Sequence, residues 1–338
     1  MPILSIAECE QLAARALEAS GAAAGQSLST ARALVAAEAD GQSGHGLGRV
    51  PSYASQVRAG KVDGRALPSF RRLAAAAVRI DAAHGFAYPA LDVAVETLPG
   101  LAREHGLAIA TIHRSHHIGA AGYTAERLAR QGCVGFVCSN TPPAMAFAGC
   151  ARPMMGTNPI AFAAPLPERA PLVIDMALSQ VARSRIVAAQ STGKGIPTGW
   201  ATDSNGRPTT DPSAALAGAL TPIGGAKGAA LALVIEILCG ALAGGHFGWE
   251  ASSFLDDRGA APAVGQVLLA FDAHSLSAGG FAARMSVLLA TLGEQDGARI
   301  PGDRRLASRA RAASGGIDIA PALHDRLTTL ARAERTLQ

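Results

Sequence analysis

Residues 107–126, Leu-Ala-Ile-Ala-Thr-Ile-His-Arg-Ser-His-His-Ile-Gly-Ala-Ala-Gly-Tyr-Thr-Ala-Glu, pass from a short apolar strand (107–112) through three histidines and a small-residue turn into a helix. Strand, turn and helix together are the building unit of an α/β fold. The turn offers backbone N–H groups to an anionic group, and the dipole of the following helix favours negative charge there. An imidazole beside it could shuttle a proton or hydrogen-bond a polar ligand. The alternative is a surface loop that happens to be rich in histidine. The unit lacks the GxGxxG of a dinucleotide-binding turn, and no GxxxxGK[ST] occurs in the chain, which removes both the Rossmann fingerprint and the P-loop. Gly224-Gly-Ala-Lys-Gly228 has the wrong spacing for a P-loop, and there is no GxSxG elbow.

Outward from this unit, helical spacing of Ile6, Leu12, Ala13 and Leu17 predicts a helix over 5–22. A second is expected over 28–41, with Ser29 or Thr30 as N-cap, and a third over 50–59, stopping at Gly60. Residues 70–81 alternate and read as one strand, and a helix over 89–104 leads into the quoted unit. Strands follow at 134–138, 159–163 and 172–174, then a helix over 178–190 and a turn-rich stretch, 193–212. Helix 226–242, strand 264–272, helix 278–293, a loop over 297–305 and a final helix at roughly 320–336 complete the pattern. It predicts an α/β class with a helical N-terminal part. We expect one unit over 1–338, in which a helical part (about 1–65) packs with the C-terminal helices and an α/β core occupies about 66–310. There is no internal repeat and no long linker.

Composition narrows the function classes. With 49% hydrophobic residues but only 4% aromatic, the core must be built from Ala, Leu, Val and Ile. The net charge of +4 comes from 30 basic and 26 acidic residues spread along the chain, so no tract suits nucleic acid. The five cysteines (Cys9, Cys133, Cys138, Cys150, Cys239) form no CxxC pair and sit in apolar surroundings, as expected of buried strand thiols in a reducing compartment. The N-terminus has no signal-peptide pattern, and the most apolar segment, 226–245, carries Lys227 and Glu236, which suits a buried helix better than a membrane span. A cytoplasmic protein without membrane or nucleic-acid partners is expected.

Three further segments could carry chemistry. Ser43-Gly-His-Gly-Leu-Gly-Arg49 places His45 and Arg49 four apart, so a helical turn would put both on one face. An imidazolium donates a proton and a guanidinium clamps a carboxylate, which suits reduction of a 2-keto or 2-imino acid; otherwise this is a glycine-rich helix end. Asp175 ends the apolar strand 171–174, where α/β proteins bind ligands, or else caps a helix beginning near Leu178. Arg299, Arg304 and Arg305 surround a Pro-Gly turn and read as a phosphate site or a solvated charge run. A zinc site on His113, His116 and His117 would lack the HExxH frame and cysteine pairs, and no metal is expected.

Taken in order, segments 43–49, 116–123, Gly156-Thr-Asn-Pro-Ile-Ala-Phe162, Ile174-Asp-Met-Ala177, Ile196–Asp203, Pro208–Pro212 and Gly224–Gly228 resemble the type-2 malate/L-lactate dehydrogenases over about 5–335. The resemblance implies a non-Rossmann, three-layer α/β/α fold around a mixed sheet, NAD or NADP as cofactor, and a homodimer with the active site near the subunit interface. Residues 247–256 and 264–266 are similar to the branch that reduces Δ1-piperideine-2-carboxylate and Δ1-pyrroline-2-carboxylate with NADPH. The resemblance makes His45 the proton donor, and Arg49 and Thr157 the substrate ligands. It assigns the cofactor, NADPH with NADH as the alternative, to His117, Ile118, Gly119, Ala120, Ala121, Asp175, Met176, Ala177, Lys227 and the loop holding Arg299, Arg304 and Arg305. In that branch a serine precedes the histidine and an acidic residue partners it. Here Gly44 and Arg185 stand in those places, with Ser43 one position earlier. The other enzyme class open to the family is a 2-hydroxyacid dehydrogenase acting on malate, lactate, sulfolactate or ureidoglycolate, with His117 as acid/base.

Overall fold

A computed structural model describes residues 2–333 of the chain. Helix α1 (Ile6–Ala19) starts at a reciprocal cap: the Ser5 hydroxyl accepts from the Glu8 N–H, and the Glu8 carboxylate accepts from the Ser5 N–H. Helix α2 (Ala24–Ala39) begins earlier than the capping residues suggested: its N-cap is Ala23, which offers no side-chain acceptor, so no capping residue marks the start. Ser29 and Thr30 therefore lie inside it. After α3 (Val50–Arg58), the alternating stretch read as one strand is a hairpin, β1 (Ser69–Ala74) and β2 (Ala77–Asp81). A two-residue turn leaves the period of two unbroken, so the reversal does not show in the pattern.

The chain continues through α4 (Ala87–His105), β3 (Leu107–Ser115), α5 (Ala121–Ala129), β4 (Cys133–Ser139), β5 (Ile160–Leu166) and β6 (Arg169–Met176). Helix α6 (Arg183–Ser191) starts later than residue 178, because Ser179 is drawn into a bridge with Pro222. Helix α7 (Ala226–Glu236) widens into π turns through Leu242, and β7 (Val264–Asp272) follows. The last helices are α8 (Phe281–Gly293), α9 (Asp303–Gly315) and α10 (Pro321–Arg332). Helix α9 is not predicted by the sequence pattern, and only its first residues, 303–305, fall in the expected loop. It buries only Ala312, so it has no apolar stripe to betray it. The expected continuation of α10 past 333 lies outside the described residues.

The seven strands order as β1-β2-β3-β7-β4-β5-β6, with β2–β3 parallel and the other pairs antiparallel. A doubly wound dinucleotide fold would be mostly parallel. This is a mixed, non-Rossmann sheet. Strand β7 inserts between β3 and β4, tying a late segment into the middle of the earlier one. Helices α4 and α5 cover one face, and the π turns after α7 cover the other, which makes three layers. One apolar core runs from Cys9 to Leu327 and joins α1, α2 and α10 to the sheet; a second lies between the opposite sheet face, α6 and α7. Cys133 and Cys138 are buried on β4, but Cys9 and Cys239 are buried on helical turns and Cys150 is exposed, so the strand-thiol expectation holds for two of the five. No helix among the described residues is long and apolar enough to cross a membrane.

Candidate active site

The 43–49 segment forms two tight helical turns between α2 and α3. The Glu38 carboxylate, at the end of α2, accepts from the Leu47 N–H at 2.8 Å, and Gly46 packs so close to it that a Cβ would overlap. This anchors the turn and lays the His45 ring over His117, centroids 5.3 Å apart and 26° from parallel. Among the described residues, Nδ1 of His45 is buried and has no partner. Arg49 is half-buried and donates from Nε to the Gly44 carbonyl at 2.7 Å, which aims its guanidinium along the same turn. Ser43 and Gly44 are exposed beside it.

The quoted histidines diverge. His117 Nδ1 lies 2.6 Å from the Tyr53 hydroxyl, and its ring packs on Phe254 with centroids 4.9 Å apart. His116 Nε2 lies 2.7 Å from Gln56 Oε1, and Gln56 donates in turn to the Phe254 carbonyl. His113 points elsewhere, its Nδ1 3.0 Å from the Ile80 carbonyl. Three imidazoles aimed at three different partners cannot converge on one ion. Among the described residues, no group of three or more His, Cys, Asp or Glu is placed to hold a metal.

Burial without a carboxylate partner sets the charge of this region. Desolvation and, after it, the nearby Arg49 guanidinium push His45 down to about 4; desolvation, then Lys61, then Arg49 push His116 down to about 3. His117 falls well below its ordinary value through desolvation and, after it, Arg49. At neutral pH the region is three neutral imidazoles beside two cations, Arg49 and, on the His116 side, Lys61.

A second region gathers at the N-terminus of α5. Ile118 to Ala121 are buried in the turn, and Gly119 adopts φ +71, which a side chain would resist. The N-cap position is Ala120, which has no side-chain acceptor; instead Asp175 Oδ2, from the end of β6, accepts the Gly122 N–H at 2.8 Å. Asp175 thus caps α5 from across the sheet rather than a helix beginning at 178. One anion that this helix end receives is the protein's own carboxylate, raised by burial and only partly offset by the Gly122 bond. Nearby, Arg305 and Arg309 pair with Asp40 and Glu126, with Arg309 Nε 2.7 Å from Asp40 and its Nη1 2.7 Å from Glu126. Among the described residues, Arg305 Nε and Nη2 have no partners although buried. Arg299 and Arg304 are exposed, and Met176 and Ala177 are half-buried.

The third region is a buried polar knot. Glu236, 1% exposed at the end of α7, accepts from Asn140 Nδ2 (3.1 Å), Asn158 Nδ2 (2.9 Å) and the Gly248 N–H (3.0 Å). Asn158 sits at φ +40, a conformation that asparagine tolerates. It presents the half-buried Thr157, whose N–H donates to Thr141 Oγ1 at 3.0 Å and whose carbonyl accepts from Leu178. Lys227 is exposed in the first turn of the same helix. Gln266, on β7, donates to both the His116 carbonyl and Ser139 Oγ, linking this knot to the histidine region.

The structure thus brings His45, Arg49 and His117 together, and separately places Asp175 against the 119–122 turn. Sequence reading missed Tyr53, Gln56, Lys61, Phe254 and Glu236. Lys61 donates to the carbonyls of Ser253 (2.7 Å), Asp256 (3.0 Å) and Arg258 (2.7 Å), which holds the loop that lays Phe254 on the histidines. Two signals were available: the charge of Glu236 inside the apolar run 229–238, and the 247–256 segment that holds Phe254.

The malate/L-lactate dehydrogenase family model matches residues 4–328. The chain belongs to this family. It is 47% identical to a (2R)-3-sulfolactate dehydrogenase (NADP(+)) of Chromohalobacter salexigens, over 97% of this chain and 98% of that one. It is 38% identical to Δ1-pyrroline-2-carboxylate reductase 1 of Burkholderia ambifaria, over 97% of each. Among solved structures, Δ1-piperideine-2-carboxylate reductase from Pseudomonas syringae superposes with a TM-score of 0.92 at 37% identity, covering 98% of this chain and all of that one. The family is one of oxidoreductases, and its mixed-sheet fold accounts for the missing Rossmann fingerprint.

Proposed function

We propose that this protein is an NADPH-dependent reductase of cyclic 2-imino acids, converting Δ1-pyrroline-2-carboxylate or Δ1-piperideine-2-carboxylate to L-proline or L-pipecolate. The observation that carries this reading is the charge state around His45: neutral imidazoles with one guanidinium. Ketone reduction needs a proton delivered to a developing alkoxide, and an imidazole held at about 4 carries none to give at neutral pH. A cyclic imine arrives with its own proton on nitrogen. His45 then orients and settles that N–H, while Arg49 clamps the carboxylate through paired N–H donors. Relatives at 36–40% identity named for these two imines support the same substrate class.

The residues present fit a dinucleotide. The orphaned Arg305 nitrogens lie by the β6–α5 junction, and Arg299 and Arg304 add free positive charge near it. When bound, NADPH would supply the hydride to C2. His117, Ile118 to Ala121, Asp175 to Ala177, Lys227 and the arginine turn would hold it, NADH being the weaker alternative, and Thr157 would contact the substrate beside Ser43. We further infer a cytoplasmic homodimer in which the whole chain acts as one unit. Helix α8 buries no residue although it carries Val287, Leu288 and Leu292, and α7 exposes Leu231, Leu233 and Val234. Such faces suit a second copy.

A specific departure favours a second reading. Gly44 and the exposed Arg185 stand where the imino-acid branch has its serine and acidic partner, and the sulfolactate relative reaches 47% identity. A neutral His45 is also the right state for a base that oxidises a 2-hydroxy acid. NADPH consumption with Δ1-pyrroline-2-carboxylate, set against pyruvate, oxaloacetate and (2R)-3-sulfolactate with NADP+, separates the two. Turnover confined to the hydroxy and keto acids would overturn the imine reading.

A further inference from the structure

The Tyr53 hydroxyl is fully buried, 2.6 Å from His117 Nδ1, and a second buried hydroxyl, that of Tyr88, lies behind it. Gly119 makes this possible, since a Cβ there would overlap the Tyr88 hydroxyl. Among the described residues, the Tyr88 hydroxyl has no hydrogen-bond partner and the Tyr53 hydroxyl has His117 Nδ1 alone. His117 is neutral and so carries one ring hydrogen, which leaves two ways to arrange the bond. If Nδ1–H donated to Tyr53, the Tyr53 hydroxyl hydrogen would be buried without an acceptor. If Tyr53 donates to Nδ1, that hydrogen is used and the ring hydrogen sits on Nε2. Buried polar groups are rarely left unpaired, so the second direction is the one this packing selects.

We propose that Tyr53 is a positioning residue that fixes His117 as its Nε2–H tautomer, so that His117 meets its ligand as a neutral hydrogen-bond donor. This deepens the functional reading and rests on it for the donor's target, an acceptor oxygen on cofactor or substrate. The charged or titratable groups facing His117 are Arg49, His45 and His116, and none supplies a carboxylate that would recharge it.

The test is nitrogen-15 NMR of histidine-labelled full-length protein without cofactor, with His117 assigned by comparison with His117→Asn. The expected spectrum shows a protonated Nε2 and an acceptor-type Nδ1, unchanged through the neutral pH range. A protonated Nδ1, or titration near the ordinary histidine value, overturns the proposal. Tyr53→Phe keeps the ring that stacks on Phe86 at 5.2 Å and removes only the hydroxyl. Its His117 resonances should shift to a mixture of tautomers, with several-fold weaker cofactor binding and little change in the pH profile of kcat. An unchanged tautomer in this variant overturns the role of Tyr53; if the variant does not fold, the wild-type spectrum decides alone. Because the spectrum needs no substrate, an imine assay that fails beside an Nε2–H signal sinks the functional reading and leaves this proposal standing. The converse holds equally.

Discussion

Two buried polar regions of this chain stay electrically quiet by opposite means. Around His45, His116 and His117, ionisable groups are buried against Tyr53, Phe86 and Phe254 with no carboxylate in reach, and they give up their charge. Around Asp40, Glu126, Arg305 and Arg309, the groups are buried against each other and keep it; burial alone would raise Glu126, but hydrogen bonds from Arg309 and Arg130 hold it at about 2. The lesson is that burial does not fix a charge state; the partner does. A region of neutral, polarisable rings is suited to chemistry, whereas a closed ion network is suited to holding α2, α5 and α9 together.

The sharpest way to break this contrast is His45→Ala. Removing the group that orients the reacting nitrogen should cost about 10²-fold in kcat, and NADPH affinity should hardly move. His117→Ala should do the reverse, weakening the cofactor more than the turnover. Steady-state kinetics with fluorescence titration of NADPH checks both; an interchange of the two patterns would give the acid/base role to His117 and favour the hydroxyacid reading.

On the other side, Glu126→Ala leaves two arginines facing Asp40 alone. Breaking a buried pair costs about 3–5 kcal/mol, read as a lowered urea midpoint. The two regions also differ in where acid unfolds them. Glu126 is depressed from 4.5 to about 2, so its contribution is complete above about pH 4.5 and is lost as pH falls towards 2. His45 and His116 are depressed from 6.5, so the folded state resists their protonation and stability is lost earlier, as pH falls from 6.5 towards 4 and 3. Stability against pH for His116→Asn should show a shallower early limb, and that for Glu126→Gln should lose the late one. Superimposable curves would erase the distinction.

Smaller effects sharpen the site itself. Arg49→Ala should raise KM for the carboxylate substrate about 10–100-fold, the worth of a charge-assisted pair in a half-open site, with cofactor binding intact. An unchanged KM removes Arg49 from the substrate. Smallest of all, Arg304→Ala should lower kcat/KM for NADPH by about tenfold or less, as for an exposed phosphate contact, and leave NADH alone. Equal losses with both cofactors would mean that the arginine turn does not read the 2′-phosphate.

Periodicity made the strands and most helices legible, and it failed where burial and pattern part company. Residues 70–81 alternate through a turn, and α9 has no stripe because its arginines, not its apolar residues, anchor it. Part of the site was legible too, since the glycines around His45 and the paired histidines are unusual in composition. The residues that govern those histidines were not. Tyr53 and Lys61 look like ordinary helix and loop positions, and Asp175 reads as a local cap until the sheet carries it to α5.

The order of elements, the missing nucleotide fingerprints and the family motifs were determined by the sequence itself, because each is a local pattern of residue type along the chain. Tertiary structure alone decided the charges and the partners. Whether an imidazole is neutral depends on which groups, distant in sequence, share its burial: Tyr53 stands 64 positions from His117, and Arg305 stands 179 from Glu126. No periodicity encodes those encounters, since they exist only once the sheet and its helices have closed.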